Sequence, residues 1–261
     1  MTAKILLWDL ETTNFDPEMG NMLTFAYGWL NPKTGHCPAK LLRINDYKGW
    51  EENPTNDYEL VKNAKEILEQ ADLWVTWFGM WFDVRFMTTR VMYWSEVGAE
   101  DWGYQPLGYL PQPPDQQNHI DLWWHTKRRL SLRSNRLDAV QQFLGKHARK
   151  TRLKKQIWKD AAWGHEESLE YVHKHGLMDI KVLKGAYESV MPYVSTYNHI
   201  LQEGGEGMCP RCGKTYLRVE NRGYVRTRTG KKQRLCYFHA DGKNHWATTG
   251  VSAGIKKDIG R

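Results

Sequence analysis

Lys4-Ile5-Leu6-Leu7-Trp8-Asp9-Leu10-Glu11-Thr12-Thr13 opens the chain with an apolar run that ends in two carboxylates. The run from Lys4 to Trp8 reads as a buried strand. A strand repeats every two residues, so Asp9 and Glu11 share one face at its end. Carboxylates in such a place are costly unless they are solvated, paired or bound to a metal. An Asp-x-Glu pair alone is weak evidence of a site. Its weight comes from what the rest of the chain sets beside it.

Working outward, Met22 to Leu30 and Lys40 to Ile44 flank the turn-forming Asn31-Pro32-Lys33-Thr34-Gly35, which predicts a hairpin. Residues 57–71 space Leu60, Val61, Ala64, Ile67 and Leu68 at helical intervals, with Asn56 or Asp57 placed to cap. Leu73 to Phe78 reads as a second buried strand broken at Gly79, and Phe82 to Trp94 resumes a helical pattern. Strand, hairpin, helix, strand, helix predicts an α/β fold: a mixed sheet with helices on its faces. Residues 97–118, rich in Gly, Pro and Gln, read as a long loop. Asp121 to Leu130, Arg136 to Leu144 and His165 to Met191 read as helices, the last ended or bent by Pro192. Gly204-Gly205-Glu206-Gly207 reads as a flexible joint. The expected organisation is a main domain over 1–203, a joint over 204–207 and a small module over 208–261. No internal repeat is visible, and no apolar run approaches the roughly 20 residues that span a bilayer, so a soluble cytoplasmic protein with no membrane partner is expected.

The net charge of +7 is unevenly spread. Residues 207–261 carry 13 Lys and Arg against 3 Asp and Glu, a net +10. Lys127 to Lys155 holds 11 Lys and Arg and only Asp138 as an acid, so the remainder of the first domain is distinctly acidic. Two basic segments around an acidic centre point to a polyanion partner with bound cations, nucleic acid above all. Three of the four cysteines cluster near the C-terminus, which suits a metal site in a reducing compartment better than a disulfide framework.

Two further acids stand out. Asp83 follows the second buried strand at the start of a helix, where the macrodipole also favours a carboxylate. Asp179 lies four residues after His175 on the long late helix, so both fall on one face. Asp121, following Asn118-His119-Ile120 into a helix, reads as a capping group rather than a metal ligand.

The ordered set of Asp9, Glu11, Asp83 and Asp179 resembles the DEDD superfamily of 3′-to-5′ exonucleases, which share a ribonuclease H-like fold. Trp74 to Arg90 (WVTWFGMWFDVRFMTTR), His119 to Asp121, Leu137 to Gly145 (LDAVQQFLG), and Asp179 followed by Tyr187 and Pro192 are similar to phage-encoded exonucleases often described as DNA polymerase exonuclease subunits. That subgroup tends to end in a zinc ribbon. The resemblance covers about residues 4–195. It implies hydrolysis of DNA from a free 3′ end with release of mononucleotides, in a bacterial or phage-infected cell, and association with a replication polymerase.

It also implies two Mg²⁺ or Mn²⁺ ions held by carboxylates, because two hard cations about 3.5–4 Å apart neutralise the attacking and leaving oxygens of a phosphodiester together. By resemblance Asp9, Glu11 and Asp179 bind one ion, Asp9 bridges to the second, Asp83 holds the second through water, and His175 orients or deprotonates the attacking water. The tyrosine branch of the superfamily places its general base four residues before the last aspartate, here His175. The histidine branch places it five before, here Lys174. Phe78 stands where the phage subgroup often carries asparagine. Thr12, Trp77 and Trp81 are candidate contacts to the terminal nucleotide, although core packing accounts for most of the 13 tryptophans.

Cys209-Pro210-Arg211-Cys212 and Cys236-Tyr237-Phe238-His239 form paired ligand spacings for one structural Zn²⁺, with His245 as an alternative to His239. So short a module could scarcely build a core alone, whereas zinc can supply roughly 10–16 kcal/mol of apparent folding free energy. Between the ligand pairs, Arg218, Arg222, Tyr224, Arg226, Arg228, Lys231, Lys232 and Arg234 mix basic and aromatic groups on a predicted hairpin with its turn near Thr229-Gly230. Such a surface can follow phosphates and stack on bases. Two other functions stay open: a structure-specific endonuclease on the same fold, and a non-catalytic nucleic-acid adaptor that works through its ribbon.

Overall fold

The structure, a computed structural model, describes residues 4–32, 34–110, 119–145, 154–191, 217–227, 230–240, 242 and 244–248. Chain contacts separate Lys4–Val194 from a second unit that holds the described residues from Leu217 onward.

The opening apolar run becomes β1 (Ile5–Thr12), buried throughout except at the half-buried Asp9. β2 (Met22–Leu30) pairs with it antiparallel on one side and β4 (Leu73–Thr76) parallel on the other. β3 (Lys40–Arg43) continues the expected hairpin from β2, and β5 (His119–Asp121) lies parallel to β4 at the far edge. The result is a mixed five-stranded sheet in the order β3-β2-β1-β4-β5. Every residue of the parallel strands β4 and β5 is buried, as parallel strands covered on both faces require.

One face of the sheet turns Leu6, Trp8 and Leu10 of β1 into an aromatic-rich core with α2 (Tyr58–Glu69) and α3 (Asp83–Glu96). The other face carries Asp9 and Glu11. Beside them in register stand Ala26 and Thr24 of β2, with Gly28 opposite Leu7. The long α8 (Glu166–Val190) packs here. A Cβ on Gly28 would come within 2.6 Å of Cys37 Sγ and 3.2 Å of Ile180 Cγ2, and one on Gly176 would touch Thr24, Ala26 and Leu41 at 3.4 Å. The two glycines thus set how closely α8 approaches the strand that bears the carboxylates.

Shorter helices complete the unit: α1 (Lys48–Glu52), α4 (Gly98–Trp102), α5 (Leu122–Arg129), α6 (Leu137–Phe143) and α7 (Lys155–Ala162). Several boundaries differ from expectation for local reasons. The strand expected to reach Phe78 ends at Thr76, because Phe78 adopts a left-handed backbone (φ 69°) and the chain turns there. A Cβ on Gly79 would lie 2.4 Å from Thr76 Oγ1, so only glycine fits this turn. The expected loop 97–118 contains α4, and Tyr104 beyond it stacks on Tyr58 at 4.1 Å. β5 and α7 were not expected, and Pro192 lies outside the described residues. No described helix is long and apolar enough to cross a membrane.

In the second unit β6 (Arg218–Thr227), β7 (Gly230–Phe238) and β8 (Asn244–Thr248) form an antiparallel sheet in that order. β6 and β7 make the expected hairpin, with Thr227 opposite Gly230, whereas β8 is an addition. The Gly204–Gly207 segment lies outside the described residues.

Asp57 does not cap α2 with its side chain as the spacing suggests. Asn56 Oδ1 accepts from the Tyr58 N–H instead, at 3.2 Å. The fully buried Asp57 carboxylate accepts from Arg90 Nη2 at 2.7 Å, Arg90 Nε at 3.0 Å, Trp94 Nε1 at 2.7 Å and Met22 N at 2.8 Å. It therefore joins the start of α2 to α3 and β2. Breaking one side of such a buried pair typically costs about 3–5 kcal/mol, because the remaining charge stays buried without compensation. Urea denaturation of Asp57→Asn should show a loss of this size, and a loss below about 1 kcal/mol would mean that Arg90 finds another partner.

Candidate active site

Residues from the two ends of the first unit meet on the α8 face of the sheet. Glu11, at the end of β1, is buried, as are His175 and Asp179 on the inward stripe of α8. His175 and Asp179 sit one helical turn apart within a buried series that includes Val172, Gly176, Ile180 and Leu183, so the periodicity that packs the helix also aims these two polar side chains at the sheet. His175 Nε2 lies 3.9 Å from Glu11 Oε1 and 3.7 Å from Asp179 Oδ2. Ligand atoms of Glu11, His175 and Asp179 all fall within 4.8 Å of one another, a spacing that could hold a metal ion. Two hard carboxylate oxygens in such a group suit a divalent cation of the Mg²⁺ or Mn²⁺ kind.

Asp9 lies two residues before Glu11 on the same side of β1 and is half-buried. Asp83 reaches the end of β1 from the other direction. Its Oδ1 accepts from the Leu10 N–H at 3.1 Å, tying the first turn of α3 to the backbone between Asp9 and Glu11. Burial is the main force on Asp83 and the neighbouring charges of Asp121 and Asp179 add to it, so its carboxyl is pushed up to about 7 against the pull of its backbone hydrogen bonds.

Asp121 caps α5 as the sequence suggests, accepting from Trp123 N at 3.0 Å and Trp124 N at 3.4 Å. It also accepts from Phe78 N at 2.9 Å and Met80 N at 3.1 Å, which the sequence did not reveal. Four backbone N–H groups converge on this one carboxylate, so it clips the β4–α3 turn to the start of α5. No local signal marks this role, because the positive φ of Phe78 that calls for a tether is visible only in the structure.

Two other basic residues of this turn, His173 and Lys174, lie near Glu170 instead. His173 Nδ1 lies 3.6 Å from Glu170, and burial lowers its pKa. Lys174 is exposed and 3.5 Å from the same Glu170. His175 is thus the basic side chain of this turn that faces the carboxylates. Thr12 is buried beside Glu11 and its hydroxyl donates to the Asn14 carbonyl at 2.7 Å. Trp77 is half-buried, while Trp81 is exposed beneath the Arg85 guanidinium, 4.9 Å from its ring centroid.

In the second unit Cys236 and His239 are buried at the end of β7. The β7–β8 register sets Trp246 opposite Cys236 and His245 opposite Tyr237. Cys209, Cys212 and Arg228 lie outside the described residues, as do the side chains of Arg226, Lys231 and Lys232. Arg218 lies over Phe238 at 4.4 Å and Arg234 over Trp246 at 4.2 Å, while Tyr224 is exposed. Glu220 pairs with both Arg218 and Arg222 and offsets part of the positive charge of β6.

The raised Asp83 carboxyl has a measurable consequence. A carboxyl whose folded pKa lies above its unfolded value favours the fold while protonated and loses that contribution as pH rises from about 4 through 7. In metal-free buffer, Asp83→Asn should therefore raise the Tm by several degrees at pH 8 and change it little at pH 5. An equal effect at both values, read by thermal melts, would show that Asp83 does not titrate in this window.

A family model described as the RNase_H superfamily matches residues 6–190. No curated protein matches the chain significantly. Among solved structures, a family B DNA polymerase from the hyperthermophilic archaeon Pyrobaculum calidifontis is similar at 16% identity and a TM-score of 0.53, over 86% of this chain and 31% of the polymerase. Exonuclease I of E. coli in complex with a dT13 oligonucleotide is similar at 13% identity and a TM-score of 0.44, over 77% of this chain and 45% of the exonuclease. The chain thus corresponds to less than half the length of either. With a matching family model over most of its length and the strand order β3-β2-β1-β4-β5, this chain belongs to the RNase H superfamily.

Proposed function

We propose that the chain is a metal-dependent 3′-to-5′ exonuclease that hydrolyses phosphodiester bonds of DNA. The observation that carries this reading is the convergence of Glu11, His175 and Asp179 within 4.8 Å, from segments more than 160 residues apart. Structural packing alone would not gather two buried carboxylates with a histidine, since buried charges of one sign repel. Asp9 and Asp83 extend the group on either side of Leu10.

Asp9, Glu11 and Asp179 would hold one divalent cation and Asp83 would help to hold a second. Such ions, when bound, neutralise charge on the attacking and leaving oxygens of the phosphodiester. Around them the chain's own groups have separate roles. His175 Nε2 lies within 4 Å of both Glu11 and Asp179 and would take a proton from the attacking water. Asp83 would surrender its proton on metal binding, so ion affinity would rise with pH up to about 7. Thr12, next to Glu11, and Trp77 and Trp81, in the turn that leads to Asp83, would contact the terminal nucleotide.

In the tail, Cys209, Cys212, Cys236 and His239 would bind one structural Zn²⁺. Cys236 and His239 are buried together at one end of β7, which supports their place in this set. Arg218, Arg222, Tyr224, Arg226, Arg228, Lys231, Lys232 and Arg234 would follow the strand's phosphates and bases. The substrate would be DNA with a free 3′ end, in the setting of a replication polymerase.

Two experiments test these assignments. Purified protein should shorten 3′-labelled single-stranded DNA in Mg²⁺ or Mn²⁺ and spare an internally labelled circle. Asp9→Ala, Glu11→Ala and Asp179→Ala should each lose at least about a hundredfold in rate, and His175→Gln a comparable factor with a flattened acidic limb of the pH profile. Activity unchanged in Asp9→Ala would refute the site, and cleavage of the circle would convert the reading to an endonuclease. Separately, elemental analysis of the metal-washed protein should find one equivalent of zinc, lost in Cys236→Ser together with protease resistance of the tail. Zinc retained in that variant would exclude Cys236 as a ligand.

A further inference from the structure

Beside the carboxylate group lies a surface that the proposed chemistry does not use. α5 turns Leu122, His125 and Thr126 into the core and presents Trp123, Trp124, Lys127 and Arg128 outward. The i, i+4 spacing sets Lys127 Nζ 4.7 Å from the Trp123 ring centroid and Arg128 Cζ 5.1 Å from that of Trp124. Phe78 meets Trp123 edge-on at 4.8 Å from the adjacent β4–α3 turn. Phe78, at 41% exposure, and Trp124, at 38%, are exposed to solvent.

Phe78 is the one described residue other than glycine with positive φ. A bulky side chain accepts that backbone only when its surroundings impose it, and strained residues of this kind gather at working sites. The imposing group is Asp121, which accepts from the N–H groups of Phe78 and Met80 on one side and of Trp123 and Trp124 on the other. The same carboxylate lies close enough to Asp83 to raise its pKa. One buried anion therefore fixes the relative position of all three rings and anchors them next to the carboxylates.

We propose that Phe78, Trp123 and Trp124, with Lys127 and Arg128, form a stacking platform for the nucleobases of a single strand whose 3′ end lies among the carboxylates. This rests on the nuclease reading for its occupant. Three neighbouring aromatic rings, two of them beside a cation, match a polymer that alternates planar bases with phosphates. The last turn of α5 reads Lys127-Arg128-Arg129 with no acid, a charge that suits phosphates. Asp121 is a positioning residue in this arrangement, since its oxygens are engaged by backbone rather than directed at substrate.

The test uses the full chain and two readouts. In the first, KM is measured on oligothymidylates of two to about eight nucleotides. For the wild type KM should fall as the strand lengthens, and Trp123→Ala/Trp124→Ala should lose about tenfold of that gain. Trp124→Phe, which keeps a ring face, should retain most of it. Strands with abasic sites in place of internal bases should bring wild type and double variant together. In the second, strands carrying 5-iododeoxyuridine are photocrosslinked in chelator, where no turnover is needed, and adducts are mapped by mass spectrometry to Phe78, Trp123 or Trp124. Length dependence unchanged in the double variant, or adducts confined to tail aromatics such as Tyr224 and Trp246, would overturn the platform. Adducts on the platform in a protein without turnover would keep the platform and reject the nuclease. Turnover with adducts only elsewhere would do the reverse.

Discussion

Carboxylates buried where an apolar strand ends are the constraint around which the first unit is arranged. Glu11, Asp83, Asp121 and Asp179 are each nine-tenths or more buried. Several anions in one low-dielectric region repel, and each has also lost its hydration. Each must therefore recover interactions from the chain. Asp121 takes four backbone N–H groups, Asp83 takes the Leu10 N–H, and Glu11 and Asp179 each lie within 4 Å of His175. These contacts join β1 to α3, the β4–α3 turn to α5, and β1 to α8. The polar group thus organises the elements around it at the same time as it burdens the fold, and the upward displacement of Asp83 and Asp121 by burial marks where compensation is incomplete.

That burden has to be carried by packing elsewhere. The opposite face of the sheet holds Trp8, Phe25, Trp74, Phe86 and Trp94 in one core, with Trp8 edge-on to Trp74 at 5.7 Å. Large rings bury much area per residue and prefer such tilted contacts. On the α8 face the packing is close instead, through Gly28 and Gly176 and the small side chains of Thr24 and Ala26. The contrast has a mechanical reason. A side chain as short as aspartate, projecting from a helix, reaches a strand-borne carboxylate only if the helix axis lies near the sheet.

Much of this was legible in the sequence because it is local and periodic. The apolar run into Asp9 and Glu11 gave β1, Asn31 to Gly35 gave the hairpin, and the spacing of His175 and Asp179 placed both on one helix face. The less legible parts depend on distant partners. β5 is three residues long and is a strand because β4 lies beside it. Nothing in the neighbourhood of Asp57 distinguishes a capping aspartate from one recruited by Arg90 on another helix. Nor does a run such as Trp77-Phe78-Gly79 disclose that its middle residue is left-handed, since that conformation is imposed by a carboxylate 43 residues on.

Asp57 and Asp121 show how burial alone fails to separate structure from function. Both are almost wholly inaccessible and both bind several donors. Asp57 is satisfied by the Arg90 guanidinium, which cancels its charge, and the rings near it are packed into the core. Burial raises the Asp121 pKa and its four backbone N–H donors draw it back only in part, so its charge is met by dipoles rather than cancelled by a cation, and its field reaches Asp83. The rings it orders are left open to solvent. A neutralised anion that orders a closed core serves stability. A buried carboxylate that is held by backbone dipoles rather than a cation, fixes a strained turn and orders aromatic rings near other carboxylates has a cost that stability does not explain, and that difference is the physical ground for treating its surroundings as part of the site.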